Sequence, residues 1–192
     1  MVDTVRLPAI GIFMATYFLV MLSFSFFYVA FPVQAATEMQ WSVKHTGAFF
    51  SVMSIFMVVV QGGVLPRLSR TWSDKRLVCV GAILLACGFL ALMPANDSLA
   101  FVAAILIAVG NGLMWPPMVA LLSKAAGEHQ GAVQGLAGSV SAAASILGLL
   151  LGGIMYAHVT DWLFVLSAGL ILAVVILSAW FPPEKPVAEF VH

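Results

Sequence analysis

The sequence of 192 residues has little charge: only 8% of its residues are Asp, Glu, Lys or Arg, and eight basic side chains balance eight acidic ones. Soluble domains carry about 25% charged residues. A balanced charge also leaves no basic surface that could meet nucleic-acid phosphates. The composition therefore excludes an ordinary soluble domain and a nucleic-acid-binding protein.

Cysteine is scarce as well. The chain has two cysteines, Cys79 and Cys87, which lie in the same apolar stretch. On a helix this separation is about 12 Å, which is beyond the reach of a disulfide bond. The sequence is therefore not a disulfide-stabilised scaffold.

Apolar residues are abundant, at 62% of the chain. They fall into six runs bounded by charged or turn residues, each long enough to approach the thickness of a bilayer as a helix. The runs cover residues 8–33, 45–66, 77–93, 99–122, 131–156 and 161–181. They are too long and too continuous for strands of a membrane β-barrel. We therefore predict an all-α polytopic membrane protein, with residues 1–192 forming one bundle of six transmembrane helices.

The basic residues are distributed unevenly between alternate connections. Lys44 stands alone on one side, and the other side holds Arg6, Arg67, Arg70, Lys75, Arg76, Lys124 and Lys185. Since cytoplasmic loops are enriched in Lys and Arg, both termini are predicted to lie in the cytoplasm. The first run is longer than the apolar core of about 7–15 residues in a signal peptide, so we expect it to remain as a membrane span.

The first three runs and the last three have similar spacing. Corresponding runs start roughly 84 to 91 residues apart, which is the spacing expected of an inverted three-plus-three repeat as found in some transporters. The alternative is that loops of similar length arose by accident. We predict the inverted repeat.

Polar residues within the runs are uncharged, and in the fifth run they share one helix face because they recur every three or four residues. This face consists of Gln134, Gly138, Ser141, Ser145, Gly148 and Gly152. Gly131, Gly135 and Ser139 form a second ridge of small residues. Small residues at this spacing allow close helix packing. The alternative is a gating helix that slides or bends against a neighbour.

Asn111 and Trp115 share a face of the fourth run, directly before Pro116 and Pro117, where a kink is expected. Asn111 either bonds a neighbouring helix or, together with Trp115, touches a solute near the bilayer midplane. The residues predicted to bind a solute are Phe24, Tyr28, Ser54, Gln61, Asn111 and Trp115. The third and sixth runs carry almost nothing polar, which is typical of outer helices that face lipid.

Catalysis is not indicated by the sequence. An intramembrane serine protease requires a serine and a histidine within hydrogen-bond reach inside the membrane. All four histidines lie at run ends or in connections, and no cluster of His, Cys or carboxylate residues lies at membrane depth to hold a metal. We expect no enzyme activity, no metal and no cofactor.

Three segments resemble a known family. Gly63–Arg76 is similar to the basic loop after the second helix of each half of a major facilitator superfamily transporter. Gly110–Pro116, followed by Gln130–Gly135, resembles the fourth helix and fifth-helix entry of the second half. Gly148–Gly153 is similar to the antiporter Gly-Pro-x-x-Gly-Gly motif, with leucine in the proline position. The chain thus resembles the C-terminal six-helix half of such a transporter, among the drug:proton antiporters that include tetracycline and multidrug exporters.

The resemblance implies secondary transport by alternating access, with a small amphipathic organic solute bound between two six-helix bundles in the lipid bilayer. The second bundle would be an N-terminal half or another copy of the chain. Gly63 and Gly153, from the resembling segments, join Gln134, Ser141, Ser145, Gly148 and Gly152 as candidate gating or packing residues. No titratable group lies at membrane depth, so any coupling acid is expected on the other bundle. The alternatives are a non-transporting scaffold or assembly subunit of a membrane complex, and a piece of a longer protein.

Overall fold

The structure is a computed structural model that describes residues 7–159 and 161–181, with side chains from residue 10 onward. All regular secondary structure in these ranges is helical, which confirms the prediction of an all-α protein. The helices are α1 Leu7–Thr37, α2 Val43–Leu68, α3 Asp74–Ala91, α4 Asp97–Ala126, α5 Gln130–Val159 and α6 Trp162–Ser178. Arg6 and Lys185, used above for orientation, lie outside the described residues, as do Thr160 and the proline-rich segment 182–186.

Three helical stretches of the described chain are long and apolar enough to cross a membrane: Ile10–Thr37, Val43–Leu68 and Asp97–Val159. The third comprises α4 and α5, which are separated by a single 3₁₀ turn at Gly127–His129, where Gly127 has a positive φ of 56°. Trp162–Ser178 is shorter but also apolar, and α3 is apolar after three charged residues at its start. The chain is therefore an integral membrane protein.

Side-chain caps define where α3 and α4 begin. Ser73 Oγ accepts a hydrogen bond from the amide of Arg76 at 3.3 Å, and Asn96 Oδ1 accepts one from the amide of Leu99 at 3.1 Å. Each bond satisfies an amide of the first turn that has no partner within its own helix.

Four helices, α1, α2, α4 and α5, continue past the ends expected from the sequence. In α1 and α5 this places a residue predicted for a connection within a helix. We placed Gln34 in a connection, but α1 continues to Thr37 and Gln34 is buried. Its Nε2 donates to the carbonyl of Leu92 at 3.1 Å and to Asp161 Oδ1 at 3.3 Å, whereas its buried Oε1 has no hydrogen-bond partner among the described residues. His158 was likewise expected in a connection, but α5 continues to Val159. Its Nδ1 lies 2.9 Å from the carbonyl of Ile154.

The helices pack as a chain of neighbours. α3 and α4 pack most extensively, and their backbones meet where Gly81 crosses Gly110: a Cβ on Gly110 would lie 2.5 Å from the amide nitrogen of Leu85. α3 also packs against α6, and α6 against α1. The two remaining helices lie at the edges of the described bundle, because α2 packs mainly against α4 and α5 mainly against α1.

Candidate functional site

The α2 helix widens where it approaches α4. Residues Val60–Val64 form a π-helical turn, and the amide of Leu65 bonds the carbonyl of Val60 five residues earlier. Pro66 explains the widening, because its ring would clash with the carbonyl of Gly62 in a regular α-helix. The wide turn places Gln61 at the crossing with α4. Such π turns are frequent at functional sites.

The facing segment of α4 has an irregular hydrogen-bond pattern too. Asn111 Nδ2 lies 3.7 Å from the thioether sulfur of Met57 on α2. Gly112 lies against Val60, since a Cβ at that position would come within 2.9 Å of Val60 Cγ1. α4 remains helical through Pro116 and Pro117. Because neither proline has an N–H group, the carbonyls of the residues four positions earlier lose their helical partners. The crossing therefore concentrates neutral polar groups.

Trp115 packs against α1. Its ring centroid lies 5.1 Å from that of Tyr17, and Tyr17 is only 3% exposed. The hydroxyl of Tyr17 is buried and has no hydrogen-bond partner in the described part of the chain. Tyr17 was not among the predicted solute-binding residues. The signal that could have identified it is its spacing, because it shares a face of α1 with Phe24 and Tyr28.

A second group of aromatic rings lies farther along α1. Phe24 is buried and packs against Phe89 of α3, with ring centroids 5.7 Å apart. Tyr28 is 48% exposed and stacks on Phe50 of α2 at 6.2 Å. Ser54 is exposed on α2, and its Oγ donates to the carbonyl of Phe50 at 2.8 Å.

The group around Trp115 and the group around Tyr28 lie at different heights along α1 and do not form one pocket. Tyr17 and Tyr28 are about 16 Å apart along α1 by helical rise. Five of the residues predicted to bind a solute, Tyr28, Ser54, Gln61, Asn111 and Trp115, are called the solute strip below. Asn111, Gln61 and Trp115 lie at the crossing end, Tyr28 lies at the other end, and Phe24 supports Tyr28 from the core.

The small residues of α5 divide into packed and open positions. A Cβ on Gly148 would lie 2.5 Å from Ser25 Cβ of α1, and one on Gly152 would lie 3.3 Å from the ring of Phe26. A Cβ on Gly153 would meet no described residue within 4 Å. The same is true of Gly131, Gly135 and Gly138. Close packing on α1 therefore involves Gly148 and Gly152, and the open glycines form an uncovered ridge.

Polar side chains on the edge helices lack partners. Gln134, Ser141 and Ser145 of α5 are partly exposed, and their side chains make no hydrogen bond within the described residues. Gln61 of α2 is also partly exposed, and its side chain makes no hydrogen bond within the described residues. Gly63 lies beside it in the π turn, and its carbonyl accepts a hydrogen bond from Arg67 Nη1 at 2.6 Å. The edge helices thus present unpaired neutral polar groups on faces that the described residues cover only in part.

Charged groups lie at the helix ends. Asp74 at the start of α3 forms an ion pair with Lys124 at the end of α4. Asp97 accepts a hydrogen bond from Trp41 Nε1 at 2.9 Å. Within the described ranges no charged side chain lies in the middle of a helix, and no three His, Cys, Asp or Glu residues come together in a metal-sized group. The solute strip is therefore a neutral surface.

Comparison with known proteins identifies the family. The sequence model of the Major Facilitator Superfamily matches residues 13–191. The chain belongs to the major facilitator superfamily. This confirms the resemblance that was based on the loop after the second run and on the fourth and fifth runs.

Individual members of the superfamily are similar over most of this chain. Tetracycline resistance protein, class B, of Escherichia coli is 25% identical over 146 residues, which are 73% of this chain and 36% of that protein. Multidrug resistance protein MdtH of Klebsiella pneumoniae (strain 342) is 28% identical over 166 residues, 82% of this chain and 40% of that protein. Tetracycline resistance protein, class E, of Escherichia coli is 20% identical over 150 residues, 76% of this chain and 37% of that protein. This major facilitator chain therefore spans less than half the length of these curated relatives.

Proposed function

We propose that this chain is one six-helix bundle of a major facilitator transporter that exports a small amphipathic organic solute. In this proposal α1 to α6 are the transmembrane helices, related as an inverted three-plus-three repeat. Both termini lie on the cytoplasmic side of a bacterial inner membrane. The bundle works by alternating access against a second six-helix bundle, which is an N-terminal half or another copy of the chain.

The unpaired polar groups on α2 and α5 carry the proposal. Gln61, Gln134 and Ser141 lack hydrogen-bond partners within the described residues and are not fully buried. In a bilayer such groups would face hydrocarbon, where a polar group without a partner is costly. A second bundle laid across α2 and α5 covers them. The length of the relatives supports this arrangement, because this chain matches only 36–40% of each.

The solute strip fits an amphipathic ligand. Aromatic rings at Tyr28 and Trp115 supply apolar contact area, and Asn111 and Gln61 supply a few neutral hydrogen-bonding groups, which is the usual composition of sites for small organic molecules. In the proposed transporter the strip faces the second bundle near the bilayer midplane. Any acid that couples transport to protons belongs to that bundle, because the strip itself contains no titratable acid or base near neutral pH.

Cross-linking in native membranes tests the second bundle. Cysteine introduced at Gly135, on the open ridge of α5, should capture either another copy or a second six-helix chain, whereas cysteine at Gly169 on α6 should not. Both glycines have free space around them, so both variants are expected to fold. A population that stays monomeric with the cysteine at position 135, as it should with the cysteine at position 169, would contradict the proposal.

Vesicle transport tests the solute strip. Trp115→Ala and Asn111→Ala should each raise the KM for tetracycline or for a fluorescent amphipathic dye about tenfold, which corresponds to about 1.4 kcal/mol of lost contact. Trp162→Ala is the matched control, because Trp162 is 64% exposed at the start of α6 and is not part of the strip. Unchanged kinetics in both strip variants for every solute tested would remove these residues from the site.

A further inference from the structure

A cleft lies between the start of α3 and the end of α6, apart from the solute strip. Its lining is Ser73, Lys75, Arg76, Cys79, Val175, Ser178 and Ala179. Its polar groups come from both helices, and Cys79 Sγ and Ser178 Oγ are 3.0 Å apart within it. The cleft therefore has a polar mouth above an apolar wall.

The mouth of the cleft is positively charged. Arg76 is exposed, lies 5.1 Å from the centre of the Trp72 ring, and has no acidic partner within the described chain. Lys75 Nζ donates to the carbonyls of Phe181 at 3.1 Å and Ala179 at 3.4 Å, which fixes an ammonium group at the end of α6. Asp74 is the nearest acid in sequence, but it lines a separate cleft beside Pro66 and Pro117 and forms an ion pair with Lys124. The Asp74 carboxylate is thus directed away from Arg76.

The position of the cleft corresponds to the headgroup layer of the membrane. Trp162 and Trp180 are 64% and 71% exposed at opposite ends of α6. They are separated by about 27 Å of helical rise, close to the hydrocarbon thickness of about 30 Å. Tryptophan is enriched at both membrane interfaces. Since Ala179 adjoins Trp180, the mouth of the cleft lies at an interface.

Below the mouth, exposed aliphatic side chains line the outer surface of the same two helices. Ile176 is 70% exposed, Leu172 is 43% exposed, and Ile83 of α3 is 46% exposed. A molecule seated in the cleft would therefore meet cations at one end and hydrocarbon along its length.

We propose that this cleft binds an anionic phospholipid. The phosphate accepts hydrogen bonds from the Arg76 guanidinium, whose planar fork suits phosphate oxygens. Ser73 Oγ already accepts the bond from the Arg76 amide, so its hydroxyl hydrogen is available to donate to the headgroup. Lys75 adds positive charge, and the acyl chains lie against Ile176, Leu172 and Ile83.

Native mass spectrometry of the full chain in detergent tests the proposal. Phosphatidylglycerol should remain bound in preference to phosphatidylcholine of the same chain length. Arg76→Gln should lower the affinity for phosphatidylglycerol about fivefold, the usual contribution of one basic residue at an anionic membrane surface. Arg70→Gln is the matched control, because Arg70 is an exposed arginine of the same connection that does not line the cleft.

The competing explanations, namely no lipid preference, general surface charge and a free phosphate ligand, each predict a different experimental result. Equal retention of the two lipids by the unaltered chain would overturn the proposal without reference to any variant. An equal loss in Arg70→Gln and Arg76→Gln would show general surface charge rather than a site. Inorganic phosphate that displaces phosphatidylglycerol at millimolar concentration, with the same dependence on Arg76, would make the ligand a free phosphate and overturn the assignment to lipid. Lys75 is left unaltered because its loss would also release the end of α6.

Discussion

The outward faces of α3 and α6 differ from those of α2 and α5. Along α3 and α6 the exposed large apolar side chains are aliphatic, such as Ile83 and Ile176, apart from Trp162 at the start of α6, and the polar Ser167 and Ser178 are buried. On α2 and α5 the exposed aliphatic residues alternate with serine, glutamine and open glycine. Hydropathy alone does not separate the two pairs. The difference lies in the unpaired polar groups and in the number of unfilled glycine positions, since α6 has only Gly169 among its described residues and α5 has four. It distinguishes a face suited to lipid from a face suited to protein.

The glycines themselves divide into positions packed against a neighbouring helix and positions with free space. Gly81 and Gly110 allow the backbones of α3 and α4 to touch, and Gly148 allows α5 to approach α1. At Gly135, on the open ridge of α5, an added Cβ would have no neighbour within 4 Å in the part of the chain that the structure describes. Packing among the described residues therefore does not require a glycine at position 135.

The largest effect is expected from Gly110→Ala. The added Cβ would lie 2.5 Å from the amide nitrogen of Leu85 and 2.7 Å from the carbonyl of Gly81, so the α3 and α4 backbones must separate. We expect a loss of about 3 kcal/mol in the free energy of unfolding, at the upper end for overpacking. Thermal unfolding in detergent, followed by circular dichroism, measures it.

Gly135→Ala is the matched control for this substitution. Its methyl group enters open space, and alanine has a higher helix propensity than glycine, so stability should stay the same or rise by up to about 1 kcal/mol. A comparable loss in both variants would show that α5 is packed on its open ridge as tightly as α3 is on α4.

Gly135→Leu is expected to affect assembly rather than folding. The larger side chain should leave the bundle folded but obstruct the second bundle, lowering the cross-linked population about tenfold, equivalent to about 1.4 kcal/mol of association free energy. Gly169→Leu on α6 has equal free space and should leave cross-linking unchanged, because that face is expected to contact lipid. Cross-linking yield with a cysteine elsewhere on α5, at Ser139, provides the readout. Equal yields in the two leucine variants would remove the distinction between the faces.

Local properties of the sequence predicted the class and the family. Long apolar runs are sufficient to indicate membrane helices, and the segments around Gly63, Gly110 and Gly148 are short enough to be recognised without a structure. The six-span arrangement, the orientation and the roles of the site residues remain predictions.

Properties that depend on distant contacts were not accessible from the sequence. Gln34 was assigned to a loop because its partners, Leu92 and Asp161, are far along the chain. The contact of Asn111 with Met57 could not be predicted for the same reason, because these residues are also far apart in the chain. The π turn is an intermediate case, because Gly62 stands four residues before Pro66, and that spacing is a local signal for strain in a regular helix.

A smaller effect is expected from Tyr17→Phe. The buried hydroxyl of Tyr17 has no partner in the described structure, so its removal should leave stability unchanged or raise it by up to about 1 kcal/mol. Tyr28→Phe, at an exposed ring on the same helix, should have no effect on stability. Thermal unfolding of both variants measures the difference. A destabilised Tyr17→Phe would mean that the hydroxyl is hydrogen-bonded in the folded protein, and would place a polar contact behind Trp115.

The smallest effect is expected from Lys124→Gln, which removes the ion pair between α4 and α3. The Lys124 side chain is 64% exposed, so the ion pair is well solvated and should contribute no more than about 0.5 kcal/mol. Asp74→Asn should cost more than Lys124→Gln, because Asp74 also lies in the first turn of α3, where a negative charge interacts favourably with the helix dipole. Unfolding at low and high salt distinguishes the two contributions, since only the variant that retains Asp74 should keep a salt-dependent stabilisation of the α3 start. If Lys124→Gln proved as damaging as Gly110→Ala, the α3–α4 contact would depend on charge at its end rather than on the glycine crossing at its centre.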